Sequence, residues 1–100
     1  MWKQLNTVGT TGSENGMILA DEEYEESCRI TLEKCARYYA VTCGVYGLMC
    51  HTVFSDSDGY RELYDVIKKE LQNFIDQDMT EDETITFCKR FIEKYGLFPI

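Results

Sequence analysis

Apolar positions along the chain change period once, near Phe54, dividing a β-rich part from an α-helical part. Met17-Ile18-Leu19-Ala20 is a short apolar run ending in acids. Cys28-Arg29-Ile30-Thr31-Leu32-Glu33 alternates with period two, placing Cys28, Ile30 and Leu32 on one face of a strand and Arg29, Thr31 and Glu33 on the other. Residues 23–26 between these runs are few enough for a hairpin. Residues 38–54 form a third β-rich region, with Tyr39, Val41 and Cys43 in phase before Gly44 and Leu48, Cys50, Thr52 and Phe54 in the opposite phase after it. A phase change across Gly44-Val45-Tyr46-Gly47 implies a bulge in one long strand or a tight turn between two. The bulge is the preferred reading, and the sheet then has three or four strands.

Beyond Phe54 the period is helical. Tyr60, Leu63, Tyr64, Ile67, Leu71, Phe74 and Ile75 recur at three- and four-residue steps, predicting an amphipathic helix of about 20 residues with Ser55, Asp56, Ser57 and Asp58 as N-cap candidates. Thr80-x-x-Glu83 is a capping box opening a second helix. Its buried stripe is expected at Ile85, Cys88, Ile92 and Tyr95, flanked by Phe87 and Phe91, with Gly96-Leu97 as its stop. The predicted class is α+β: a three- to four-stranded antiparallel sheet followed by a C-terminal helical hairpin packed on one face. Residues 1–15, rich in Thr, Gly, Asn and Ser, read as a flexible N-terminal arm, with Trp2, Leu5 and Val8 as anchors, ahead of a single domain over residues 16–100.

Two helices cover one face of so small a sheet. Residues 38–54 are apolar in both parities, with Leu48, Cys50 and Phe54 pointing one way and Met49 and Val53 the other. The second face is therefore expected to be buried by self-association into a homodimer.

Composition restricts the function classes. The 100 residues carry 18 acids against 10 bases, a net charge of −8, which argues against nucleic acid or anionic lipid as a partner. Ten of the acids lie in two runs: Asp21, Glu22, Glu23, Glu25 and Glu26, then Asp76, Asp78, Glu81, Asp82 and Glu83. The second run is explained by the interhelical loop and the positive end of the second helix. The first reads as a solvated hairpin tip that guards a sheet edge, or as a contact for a basic protein; strand alternation sends Asp21 and Glu23 to one side and Glu22 to the other. No signal peptide and no membrane span are expected, and a cytoplasmic location follows. Cys28, Cys35, Cys43, Cys50 and Cys88 are expected as free, mostly buried thiols, because their gaps of 7, 8, 7 and 38 are not zinc spacings.

Catalytic signals are weak. Cys50 and His51 are neighbours on a strand and point to opposite faces, so a thiol–imidazole pair would need His51 to meet Cys43, Cys35 or Cys28 across the sheet. Asp56-x-Asp58-Gly59 has the centre of a calcium loop, but Phe54 and Asp65 stand at the positions of its first and last ligands, and helix capping explains the acids without a metal. Phosphate loops, Gly-x-Ser-x-Gly and His-Glu-x-x-His are absent. No cofactor or metal is expected. The leading expectation is a non-enzymatic, self-associating interaction domain, immunity- or inhibitor-like, presenting Asp21, Glu22 and Glu23 to a basic partner. The competing expectation is a small-molecule-binding protein or enzyme with its pocket at a dimer interface, using Tyr46, His51 and Arg29.

Overall fold

The computed structural model describes residues 1–56 and 58–95. Five strands, β1 (Trp2–Gln4), β2 (Met17–Tyr24), β3 (Cys28–Lys34), β4 (Tyr39–Val45) and β5 (Met49–Ser55), precede two helices, α1 (Tyr60–Asp76) and α2 (Glu81–Tyr95). The strands form one antiparallel sheet in chain order. The α+β class and the C-terminal helical hairpin stand as the sequence predicts.

The strand count is five rather than three or four, for two reasons. The phase change at Gly44–Gly47 is a turn: Leu48 N–H donates to the Val45 carbonyl at 2.9 Å, and Val45 faces Met49 across the hairpin. Gly47, with φ of +79°, supplies the left-handed residue that such a turn demands. The other extra strand is β1, three residues of the predicted arm, too short to show a period. Beyond it the backbone stays on the β2 edge, with Leu5 N–H on the Asp21 carbonyl and Gly9 N–H on the Ile18 carbonyl, both at 2.8 Å. Trp2 anchors this segment, tilted against Tyr24 at 5.1 Å and donating its indole N–H to Gln72 Oε1 at 3.0 Å. Val8, expected as an anchor, is exposed.

The core lies between one face of the sheet and the helices. Ile30, Leu32, Val41, Cys43 and Val53 meet Tyr64, Ile67, Leu71 and Phe74 of α1 and Phe91 and Tyr95 of α2. Each fully buried aliphatic side chain contributes about 1.5–3 kcal/mol relative to exposure. α1 lies over β3 and β4, and α2 over β5. The N-cap is Gly59 rather than Ser55, Asp56 or Asp58; Ser57 and the stop at Gly96-Leu97 lie outside the described residues. The capping box forms as read: Glu83 N–H donates to Thr80 Oγ1 at 3.2 Å, and Thr80 N–H to Glu83 Oε1 at 3.1 Å. That backbone bond, with the Thr80 side chain, holds the Glu83 carboxyl below the usual glutamate value.

The buried stripe of α2 is rotated from expectation. Phe87 stacks on Phe74 at 4.1 Å and Lys94 Nζ donates to Glu70 Oε1 at 2.5 Å, which turns Cys88, Phe91 and Tyr95 inward and leaves Ile85 and Ile92 exposed. The second face of the sheet is not the apolar surplus expected of it. It carries Asp21, Arg29, Thr31, Glu33, Thr42 and Thr52 beside the apolar Ile18, Ala40, Cys50 and Phe54, a mixed surface rather than an apolar one. No helix among the described residues is long and apolar enough to cross a membrane.

The β2–β3 turn is strained. Ser27 N–H donates to the Tyr24 carbonyl, and the two central residues, Glu25 and Glu26, sit at φ of 51° and 55°. That geometry favours Asn-Gly, and a non-glycine residue there costs about 1–2 kcal/mol. Glu26→Gly should therefore stabilise the protein by about 0.5–1 kcal/mol after the greater freedom of glycine in the unfolded chain is subtracted. Chemical denaturation checks this, and an unchanged or lower midpoint contradicts it.

Candidate functional site

Period-two alternation turns Asp21 of β2, Arg29, Thr31 and Glu33 of β3, Thr42 and Gly44 of β4 and Cys50 of β5 to the side away from the helices. Asp21, with no exposed surface, is the hub. It accepts from Arg29 Nε at 2.9 Å and Nη2 at 2.5 Å, from Thr31 Oγ1 at 3.0 Å, and from Thr7 Oγ1 of the N-terminal segment at 2.5 Å. Burial alone would raise its carboxyl pKa, but the hydrogen bonds from Arg29, Thr7 and Thr31, with the Arg29 charge, outweigh burial and hold it below the ordinary value of 3.8. The bidentate pair raises Arg29 in turn.

Glu33 is the second buried acid, 1% exposed. Its carboxylate receives the Glu14 N–H, at 3.1 Å to Oε2 and 3.4 Å to Oε1, and forms no ion pair among the described residues. Gly12 lies directly on it; a Cβ there would stand 1.4 Å from Glu33 Oε1, so only glycine permits the segment to close over the carboxylate.

Between this segment and the β4–β5 turn lies a concavity of about 740 Å³. Thr10, Arg29, Thr31, Glu33, Thr42 and Cys50 supply its polar side, and Ile18 and Leu48 its apolar side. Tyr46 stands at the rim, donating to Glu23 Oε2 at 2.5 Å; burial and that bond push its hydroxyl up to about 12.

Of the residues singled out in the sequence, Asp21, Glu23, Arg29 and Tyr46 meet on this face. Glu22 and His51 do not. Glu22 faces the helices, accepting from Tyr64 Oη at 2.7 Å and pairing with Lys68 at 2.8 Å; burial would raise its pKa, and these partners overcome that and lower it. His51 Nε2 lies 3.0 Å from the Tyr95 carbonyl, which its N–H satisfies at the end of α2. Its strand neighbour Cys43 donates to the His51 backbone carbonyl at 3.6 Å, and burial pushes the Cys43 thiol up to about 12 and the Cys28 thiol to about 11, so neither supplies a thiolate. The acidic run is not a solvated tip as a whole: only Glu25 and Glu26 are exposed, because β2 continues through the acids to Tyr24 and its alternation assigns each a partner.

Thr7, Gly12, Glu33, Thr42 and Cys50 were missed as site residues. The polar parity of Arg29, Thr31 and Glu33 within an otherwise apolar strand was a usable signal for Glu33; nothing local marks Thr7 or Gly12. No protein-family model, no curated protein and no solved structure matches the chain.

The linkage at Asp21 has a definite sign. A carboxyl whose folded pKa lies below its unfolded value stabilises the fold above the unfolded value, and this is lost as pH falls through the folded one. Asp21→Asn should cost about 1–3 kcal/mol near neutral pH, where Arg29 loses its charged partner. The gap from wild type should narrow below about pH 4. A gap that persists unchanged in acid, measured by urea denaturation across pH, contradicts this account.

Proposed function

We propose that the chain is a binding domain for a small organic ligand bearing amino or hydroxyl groups, seated on the open face of the sheet. The observation that carries the reading is the concavity of about 740 Å³ whose polar wall is built from named side chains of one chain. A volume of this size suits a drug-sized or metabolite-sized molecule. Its charge pattern selects among ligands. Among the described residues, the one cation on the wall, Arg29, is already neutralised by Asp21, and Glu33 has no counterion. A buried carboxylate without a cation favours an ammonium group or hydroxyl donors and disfavours anions. Ile18 and Leu48 offer an apolar surface to the remainder of the ligand.

The immunity- or inhibitor-like reading, with a basic protein partner, draws on the net charge and on exposed Glu25 and Glu26. It draws less on Asp21, Glu22 and Glu23, which have partners within the chain. A non-enzymatic role fits the high pKa of the buried thiols. Five cysteines without a disulfide support a reducing compartment, and the acidic charge supports neither nucleic acid nor an anionic membrane as partner.

A library of amines, amino alcohols, neutral polyols and nucleosides, carboxylates and phosphates, screened by ¹H–¹⁵N NMR, tests the proposal. Binders are expected among the amines and neutral hydroxylated compounds, with shifts centred on Thr31, Thr42 and Gly44. Alkylation of the exposed Cys50 thiol with N-ethylmaleimide should abolish them. Binding confined to anions, or shifts centred on the helices, overturns the reading.

A further inference from the structure

The concavity on the open face differs in chemistry from one end to the other. Register lays its floor in three rows across β3 and β4: Glu33 beside Ala40, Thr31 beside Thr42, and Arg29 beside Gly44. Rows on one face are two residues, about 6.8 Å, apart and neighbouring strands about 4.8 Å, so Glu33 and Gly44 are separated by about 14 Å. At the Glu33 end the groups only accept. Glu33 is 1% exposed yet lines the concavity, and a carboxylate has room for about four hydrogen bonds. Among the described residues this one receives only the Glu14 N–H and pairs with no cation. In the next row the Thr31 hydroxyl gives its proton to Asp21 and is left with lone pairs alone.

The other end is shaped by an absence. Gly44 leaves its row without a side chain on β4, and a Cβ there would stand 2.9 Å from the Met49 carbonyl oxygen, so a larger residue cannot fill the gap without moving the hairpin. Arg29 does not fill it either, because its guanidinium is drawn across to Asp21 on β2. The gap is bordered by Cys50 and by Leu48 and Tyr46 of the β4–β5 turn, the last two 53% and 49% exposed. The concavity is thus closed and acidic at one end, open and apolar at the other.

We infer that the ligand is an elongated amphipathic amine, its ammonium group held at Glu33 and a flat apolar group, about 14 Å away, lying in the gap over Gly44. The inference rests on the reading of the concavity as a ligand site and adds the length and polarity of what it takes. An ammonium group brings three donors to Glu33 and Thr31, which offer only acceptors, and its charge strengthens each bond; a carboxylate brings none. A strand position without a side chain lets a flat group approach the backbone closely, and that group also covers Leu48. A short amine satisfies one end alone. Affinity therefore depends on the separation between nitrogen and apolar group, and the amine enters first.

Phenylalkylamines with one, four and eight methylenes between ring and nitrogen, together with the carboxylate matching the longest, are titrated into the full chain and followed by calorimetry and ¹H–¹⁵N NMR. The longest amine should bind at least tenfold more tightly than the shortest and than the carboxylate, and should shift the Glu33 and Gly44 amides together. Glu33→Gln should remove the preference for amine over carboxylate. Leu48→Ala, which alters an exposed side chain only, should remove the gain with length and leave the shortest amine unaffected, so a folding defect in the Glu33 variant does not decide the matter. Equal binding of all three amines, with shifts confined to the Glu33 end, overturns the inference and leaves the concavity a ligand site. A carboxylate bound more tightly than every amine overturns both.

Discussion

The carboxylate of Asp21 is the constraint on which the open half of this molecule depends. A charge with no exposed surface is costly by several kcal/mol unless it is paired and its remaining lone pairs are filled. Here the filling comes from three places at once: the Arg29 guanidinium and the Thr31 hydroxyl of β3, and the Thr7 hydroxyl of the N-terminal segment. Register follows from this. A one-residue slip of β3 against β2 would send Arg29 and Thr31 into the helix layer and bring Ile30 beneath a carboxylate, so pairing is fixed by the polar face as firmly as by the apolar one. Thr7 ties the N-terminal segment to the same point. That segment then reaches Glu33 through Glu14 and Gly12, and one wall of the concavity is in place.

Alternation along β2 also reshapes the meaning of the net charge. Consecutive acids are separated by the sheet itself: Asp21 and Glu23 on the open face, Glu22 among the helices with Tyr64 and Lys68. What looks in the chain like one acidic patch is three carboxylates with three unrelated duties, followed by two on a strained turn. Tyr24 continues the pattern by donating to Asp76 of α1 at 2.6 Å, a bond that, with burial, raises its hydroxyl to about 12. The acids of the first run thus serve chiefly to bind the sheet to its surroundings, and charge counted along the chain overstates the charge offered to partners.

The parts of the fold legible in the chain are those set by local period. The alternation of β3, the amphipathic run of α1 and the Thr80–Glu83 capping box need nothing beyond their own residues. The parts that were not legible depend on contacts distant in sequence. β1 exists because Trp2 finds Tyr24 and Gln72. The rotation of α2 is decided by the Phe74–Phe87 stack, against a stripe that reads equally well with Ile85 and Ile92 inside. At the site, Tyr46 could be named because it sits where the strand phase changes. Gly12 could not, since its significance is the distance to a side chain 21 positions away that only folding reveals.

The strand β5 draws these results together, because its two faces meet two environments. Val53 and His51 point into the helix layer and Cys50 points into the concavity. A pocket lying between two subunits was the expectation when only the surplus of apolar residues in this region was in view. The geometry places the concavity within one chain instead. The concavity is walled by β3, β4, the β4–β5 turn and the N-terminal segment, all of one chain. Period-two alternation makes this possible: a single seven-residue strand can contribute to a core on one face and to the wall of a concavity on the other without any residue serving both.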